Sequence, residues 1–193
     1  MPVETLAIDE MLVKVVMERT VKLNFSRLAS LLVAFGVFAA QGVQDVRAGT
    51  AALPCDGKSS CKIEGFTVSS DGCGKGALFG SVVAQDGAKG VDLNDRVDGK
   101  GEKVARLADH QFVCIAATAR DGDGQRHYVV AIPTATVPEC KGKALCKESD
   151  LPIEWKKATT GKACQRVGDG KYIGDCAAGW VEEGDVDQYA NGL

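Results

Sequence analysis

The sequence has no C-x-x-C pair, only two histidines, and no apolar run long enough to cross a bilayer as a helix. Each gap argues against a class of protein. Zinc ribbons and thioredoxin-like redox centres are built on closely spaced cysteines. His110 and His127 are the only imidazoles, which leaves little nitrogen for a metal. No metal and no cofactor is expected. The longest uncharged apolar stretch, LASLLVAFGVFAA at residues 28–40, is well short of the roughly 20 residues that span a membrane. G-x-S-x-G, H-E-x-x-H and Walker loops are also absent. Aromatic residues are scarce at 6%, so each is a candidate anchor for a small core or a ligand.

What is present begins with an address rather than a fold. RTVKLNFSR at 19–27 supplies Arg19, Lys22 and Arg27 ahead of the apolar run, and VRA before Gly49 offers Val46 and Ala48 as small cleavage-site residues. Basic, apolar and small in that order describes a secretory signal. Residues 1–48 are therefore expected to be removed, with a cut after Ala40 as the second choice. Glu4, Asp9 and Glu10 precede Met17, which makes Met17 a candidate start. A lipoprotein site at Cys55 is disfavoured because Pro54 precedes it, well past the apolar run. The expected location is periplasmic or secreted, with no stable membrane insertion after processing.

All eight cysteines, Cys55, Cys61, Cys73, Cys114, Cys140, Cys146, Cys164 and Cys176, follow the expected cut. An even count in an exported chain reads as a disulfide framework, although eight cysteines admit about 105 pairings. CDGKSSCK at 55–62 and CKGKALCK at 140–147 share C-x-G-K-x-x-C-K. That spacing closes a small loop with acceptable geometry, which favours Cys55 with Cys61 and Cys140 with Cys146. A cysteine nucleophile served by His110 or His127 needs a free thiol, which the even count argues against. The chain is expected to be no enzyme.

The net charge of −3 gives no global reason to bind nucleic acid. The charge is uneven, however. Residues 139–171 carry eight basic side chains against five acidic, and 175–187 carry five acidic and no basic. A solvated surface is the first reading, and a lysine-rich face for an acidic partner the second. Asp121 and Asp123 alternate as in a calcium loop, but Arg126 and Ile132 stand where an EF-hand needs glycine and glutamate. Turn chemistry accounts for them.

FVCIAATAR at 112–120 and RHYVVAI at 126–132 are rich in β-branched and aromatic residues and flank DGDGQ, so they predict a hairpin. Shorter strands are expected at GFTVS from Gly65, LFGSVVAQ from Leu78, KVARL from Lys103 and GWVEE from Gly179. Many short strands with regular turns predict an all-β fold, a small barrel or sandwich.

LNDR, DGKGEK, VARL and FVCIAA within residues 91–117 resemble the first half of a bacterial SH3-like domain. The end of the chain is similar to the closing strand of exported members, Y-x-G-x-C-x-x-G-W-V, at Tyr172, Gly174, Cys176, Gly179, Trp180 and Val181. The resemblance implies a small SH3-like barrel over 91–189, interrupted by an insertion at about 133–163 and preceded by a cysteine-containing β extension at 49–90. It also implies Cys164 as the partner of Cys176. Such barrels bind extended peptides or cell-wall peptide stems in aromatic-lined grooves. Tyr128, Trp155, Trp180 and Tyr189 are the candidate groove aromatics, with Asp95, Arg96 and Asp98 on the adjoining loop. For Trp180, packing that closes the barrel is preferred to ligand contact. Peptidoglycan or an envelope protein is the expected partner. The alternative is a secreted inhibitor or immunity protein acting through the rigid disulfide loops.

Overall fold

Two long strands organise the molecule because their side chains find apolar neighbours on both faces. The computed structural model describes residues 52–122, 124–190 and 193, which belong to one compact unit. The expected signal lies outside the described residues. The strands of the extension are β1 (Ser60–Ile63), β2 (Phe66–Ser70) and β3 (Leu78–Val82). Next come β4 (Gly90–Asn94), β5 (Lys103–Ala108), β6 (Phe112–Arg120) and β7 (Gln125–Ala131). The remainder holds β8 (Glu154–Trp155), β9 (Gln165–Arg166), β10 (Tyr172–Ile173), β11 (Ala178–Glu182) and β12 (Val186–Gln188). The strands expected near 65, 78, 103 and 179 all form. Helical structure is confined, among the described residues, to short 3-10 turns.

β6 and β7 make the expected antiparallel hairpin, with Val113 opposite Ala131 and Arg120 opposite Gln125. One sheet runs β1-β2-β6-β7-β11-β4-β5-β8, while β3 adds to β6 and β12 adds to β3. β9 and β10 form a separate pair. Among the described residues this is an open path of pairings, not a closed ring of strands. Among the described residues of the expected extension, β2 and β3 both pair with β6. The segment at 133–163 is mostly turns, yet β8 within it pairs with β5.

A register shift at Ala116 explains how one edge of β6 serves two partners. Ile115 stands opposite Val129 and Ala117 opposite Tyr128, which leaves Ala116 as the extra residue of a bulge. The Ala116 carbonyl accepts from the amides of Asp71 and Gly72, where the chain leaves β2. β2 pairs with the strand beyond the bulge, and β3 pairs before it. The bulge also resets the alternation, so Ala117 and Ala119 share the face of Phe112 and Cys114.

On one face, Val113, Ile115, Val129 and Val181 pack with Leu93, Ala105 and Leu107. On the other, Phe112, Cys114, Val130 and Ile132 pack with Phe79 and Tyr172. Past the bulge that second face continues as Ala117, Ala119 and Trp180 against Phe66, Val68 and Val97. Close approach of β11 to β4 requires Gly179. A Cβ there would lie 2.7 Å from the Asn94 carbonyl oxygen and 2.9 Å from Leu93 Cβ.

Four disulfides staple these layers: Cys55–Cys61, Cys73–Cys114, Cys140–Cys146 and Cys164–Cys176. No described cysteine is free. The two local loops form as their spacing predicts, and Cys164–Cys176 forms as the resemblance implies. Cys73–Cys114 fastens the segment after β2 to the middle of β6. Disulfides of this number belong to an oxidising environment. No described helix is long and apolar enough to cross a membrane.

Candidate functional site

The candidate aromatics fall into three places. Trp180 and Tyr128 are cross-strand neighbours on β11 and β7, in T-shaped contact with ring centroids 5.2 Å apart. Trp180 is only 4% exposed, beneath the β1–β2 hairpin. Tyr128 is half-buried, and its hydroxyl donates to the Ala52 carbonyl at 3.1 Å. Burial pushes that phenol up to about 12. Tyr189 lies with the other cluster on that face, 6.4 Å from Phe112. Trp155 is half-buried on β8, against the opposite core. These aromatics do not assemble into a single lined groove.

Asp95, Arg96 and Asp98 occupy the turn between β4 and β5, and each has partners within the fold. Lys157 Nζ lies 2.9 Å from Asp95 and holds that carboxyl below its usual range, aided by the Glu102 amide. The Lys100 amide and Arg96 do the same for Asp98. Arg96 also reaches Glu64 at 2.8 Å, which ties the turn to the segment joining β1 and β2. Val97, between them, is 1% exposed and packs in the cluster of Trp180. The loop is knit by its own charges and anchored by its one apolar residue.

The lysine-rich repeat behaves differently. An open cleft of about 450 Å³ runs beside the Cys140–Cys146 loop, with Val137 and Pro138 among its apolar lining. Lys141, Lys143 and Lys147 line it, and none of them forms an ion pair among the described residues. Leu145, in the same loop, is 51% exposed. Thr134 is fixed at the cleft by Asp150, which accepts from its amide and its hydroxyl. The basic excess at 139–171 and the C-x-G-K-x-x-C-K repeat were the signals for this place. What they omit is the cleft, which exists because 133–138 folds back against the loop.

The two copies of the repeat are not equivalent. In the first, Asp56 and Gly57 have φ of 49° and 80°, a type I′ turn. In the second, Lys141 has φ −58° and ψ 111° before Gly142 at φ 78°, a type II turn. The first packs toward Trp180 and the second toward Phe112.

One buried polar group has chemical consequences. His127, 4% exposed, lies between Thr118 Oγ1 and Gln125 Nε2, each at 3.3 Å. Arg120 donates to Gln125 Oε1 and Gln125 Nε2 donates to Glu183, which orients the amide with its NH₂ toward the imidazole. A second ring proton would face that donor. Burial lowers the His127 pKa from its ordinary 6.5, with Arg120 adding to the effect and Glu183 opposing it. The unfolded chain therefore takes up this proton first. Stability is expected to be fully present above about pH 6.5 and to fall as pH drops below it. His127→Gln is expected to flatten that limb of a urea-midpoint titration between about pH 8 and 5. An unchanged slope in the variant would assign the effect elsewhere.

Asp121 closes the turn between β6 and β7, accepting from the Gly124 amide at 2.9 Å. Among the described residues, no group of three or more His, Cys, Asp or Glu side chains is placed to hold a metal. No family model matches this chain, and no curated protein or solved structure matches it.

Proposed function

We propose that this is an exported, non-catalytic binding module for a cell-wall peptide or an anionic face of an envelope protein. The observation that carries the reading is the stapled Cys140–Cys146 loop. It presents three lysines, without ion pairs among the described residues, along an open cleft with an apolar side. A disulfide-closed loop loses little freedom on binding, so its contacts are not spent on ordering the loop. Peptide stems carry carboxylates, which complement Lys141, Lys143 and Lys147. The SH3-like barrel belongs to the same proposal. Its support is the path of the chain from β11 through the 3-10 turn Glu183–Asp185 into β12, which pairs with β3 beyond β6. Periplasmic or secreted residence is part of the same reading, supported by the expected signal and the disulfides together.

The test is cosedimentation of the oxidised protein with purified sacculi. The comparison is a Lys141→Gln, Lys143→Gln, Lys147→Gln triple variant. Three exposed charge contacts of roughly 0.5–1 kcal/mol each make a loss of about tenfold or more in retention the expected result. Undiminished retention of the triple variant moves the surface away from this loop. If the parent protein itself stays in solution, the cell-wall reading falls and the inhibitor reading takes its place. A specific feature favours that second reading: Leu145 stands exposed between the lysines of a rigid loop, as a plug for an enzyme's cleft would.

A further inference from the structure

A second cavity, of about 340 Å³, lies between residues 52–57 and 170–172. Its walls include Leu53, Val130 and Tyr172, with Cys73 of the Cys73–Cys114 disulfide. The lining also includes one carboxylate, Asp56, and one ammonium, Lys171. Both side chains are exposed, and among the described residues neither forms an ion pair.

Three features hold this cavity in shape. The Tyr128 hydroxyl ties down the Ala52 carbonyl at 3.1 Å. The Cys55–Cys61 disulfide locks the turn that carries Asp56, in which Cys55 and Asp56 both hold left-handed φ values of 70° and 49°. Non-glycine residues in that region cost energy and persist only where the surroundings over-determine them. On the other wall, Gly170 bridges to Cys73 so closely that a Cβ would lie 2.5 Å from the Gly74 nitrogen. Lys171 and Tyr172 follow directly from that bridge.

We infer that this cavity binds a zwitterionic amino acid or dipeptide with an apolar side chain. The ligand's ammonium pairs with Asp56, its carboxylate pairs with Lys171, and its side chain lies on Leu53, Val130 and Tyr172. The volume suits it, since small-ligand pockets run from about 300 Å³ upward and combine an apolar lining with a few placed charges. One carboxylate and one ammonium in the lining of the same cavity favour a ligand carrying both charges over one carrying either alone. The site is remote in sequence from the lysine loop and does not depend on it.

The test is a titration of the oxidised protein with alanyl-leucine, followed by amide chemical shifts. N-acetyl-alanyl-leucine and alanyl-leucinamide, each lacking one terminal charge, are run beside it. Shifts at Leu53, Val130 and Tyr172 are expected with the free dipeptide. Each capped form is expected to bind at least tenfold more weakly. Asp56→Asn is expected to weaken the free dipeptide by a similar factor while leaving the acetylated form unaffected. Lys171→Met is expected to do so while sparing the amide. Both positions are exposed, and an unchanged background spectrum shows that the variants are folded. Equal binding of free and capped peptides overturns the assignment of charges, and no shift at tens of millimolar dipeptide overturns the site. Because soluble dipeptide is the probe, either result stands apart from the outcome with sacculi.

Discussion

Trp180→Ala is expected to cost the oxidised protein about 3–5 kcal/mol of stability, a large share of what a domain of this size has. The indole is 4% exposed and lies among Phe66, Val68, Val97, Ala117 and Ala119. Those neighbours come from β2, the β4–β5 turn and β6, so no one of them moves into the space without disturbing its own strand. A cavity that cannot collapse adds its own term to the lost transfer energy. The edge contact with Tyr128 at 5.2 Å is lost as well. Trp155→Ala is the control. That ring is half-buried on a two-residue strand at the end of the sheet path, so its removal is expected to cost less than about 2 kcal/mol. Denaturant unfolding followed by far-UV circular dichroism, with the disulfides intact, gives both numbers without relying on tryptophan emission. A Trp180→Ala loss under about 1 kcal/mol would mean that the indole is not the keystone between the extension and the sheet.

Trp180 also marks where sequence reasoning reached and where it stopped. The G-W-V motif signalled a strand, which forms as β11, with Gly179 where a Cβ would clash and Trp180 only 4% exposed. The hairpin of β6 and β7 was legible because its residues are β-branched, aromatic or small and flank a glycine-rich turn. Local pairings were legible too, since a six-residue separation can close a small loop with acceptable geometry. The placement of the aromatics was not legible, because composition names aromatic residues without saying which face they share. The bulge at Ala116 decides which β6 residues share the face of Tyr128, and a one-residue insertion in an alanine-rich strand leaves no mark on the pattern. Asp95, Arg96 and Asp98 read as a loop beside the groove, and nothing in the sequence shows that Lys157 and Glu64 arrive from distant segments to pair with Asp95 and Arg96. The cavity between Asp56 and Lys171 is legible least of all, since the residues that line it come from distant segments that meet only in the fold.

Removing the disulfides one at a time, as paired Cys→Ala variants, is expected to rank them by the loop each one closes. Cys73–Cys114 spans 41 residues, Cys164–Cys176 spans 12, and the two local bridges span 6 each. If the bridges act by restricting the unfolded chain, the losses are about 4, about 3 and a little over 2 kcal/mol in that order. Packing sharpens the first of these. Cys73 and Cys114 are 2% and 0% exposed, inside the cluster with Phe79 and Phe112. Loss of that bridge also frees the segment that ends β2 and the cavity wall beyond it. The local bridge Cys140–Cys146 should by contrast be among the least costly to global stability while its loss loosens the lysine loop, since 133–147 is held mainly by turns. Its variant is therefore expected to lose sacculus retention out of proportion to its loss of stability. Guanidinium unfolding of the four paired variants, read beside their cosedimentation, checks both orders. A Cys140–Cys146 variant that binds as well as the parent would show that the loop needs its lysines but not its staple.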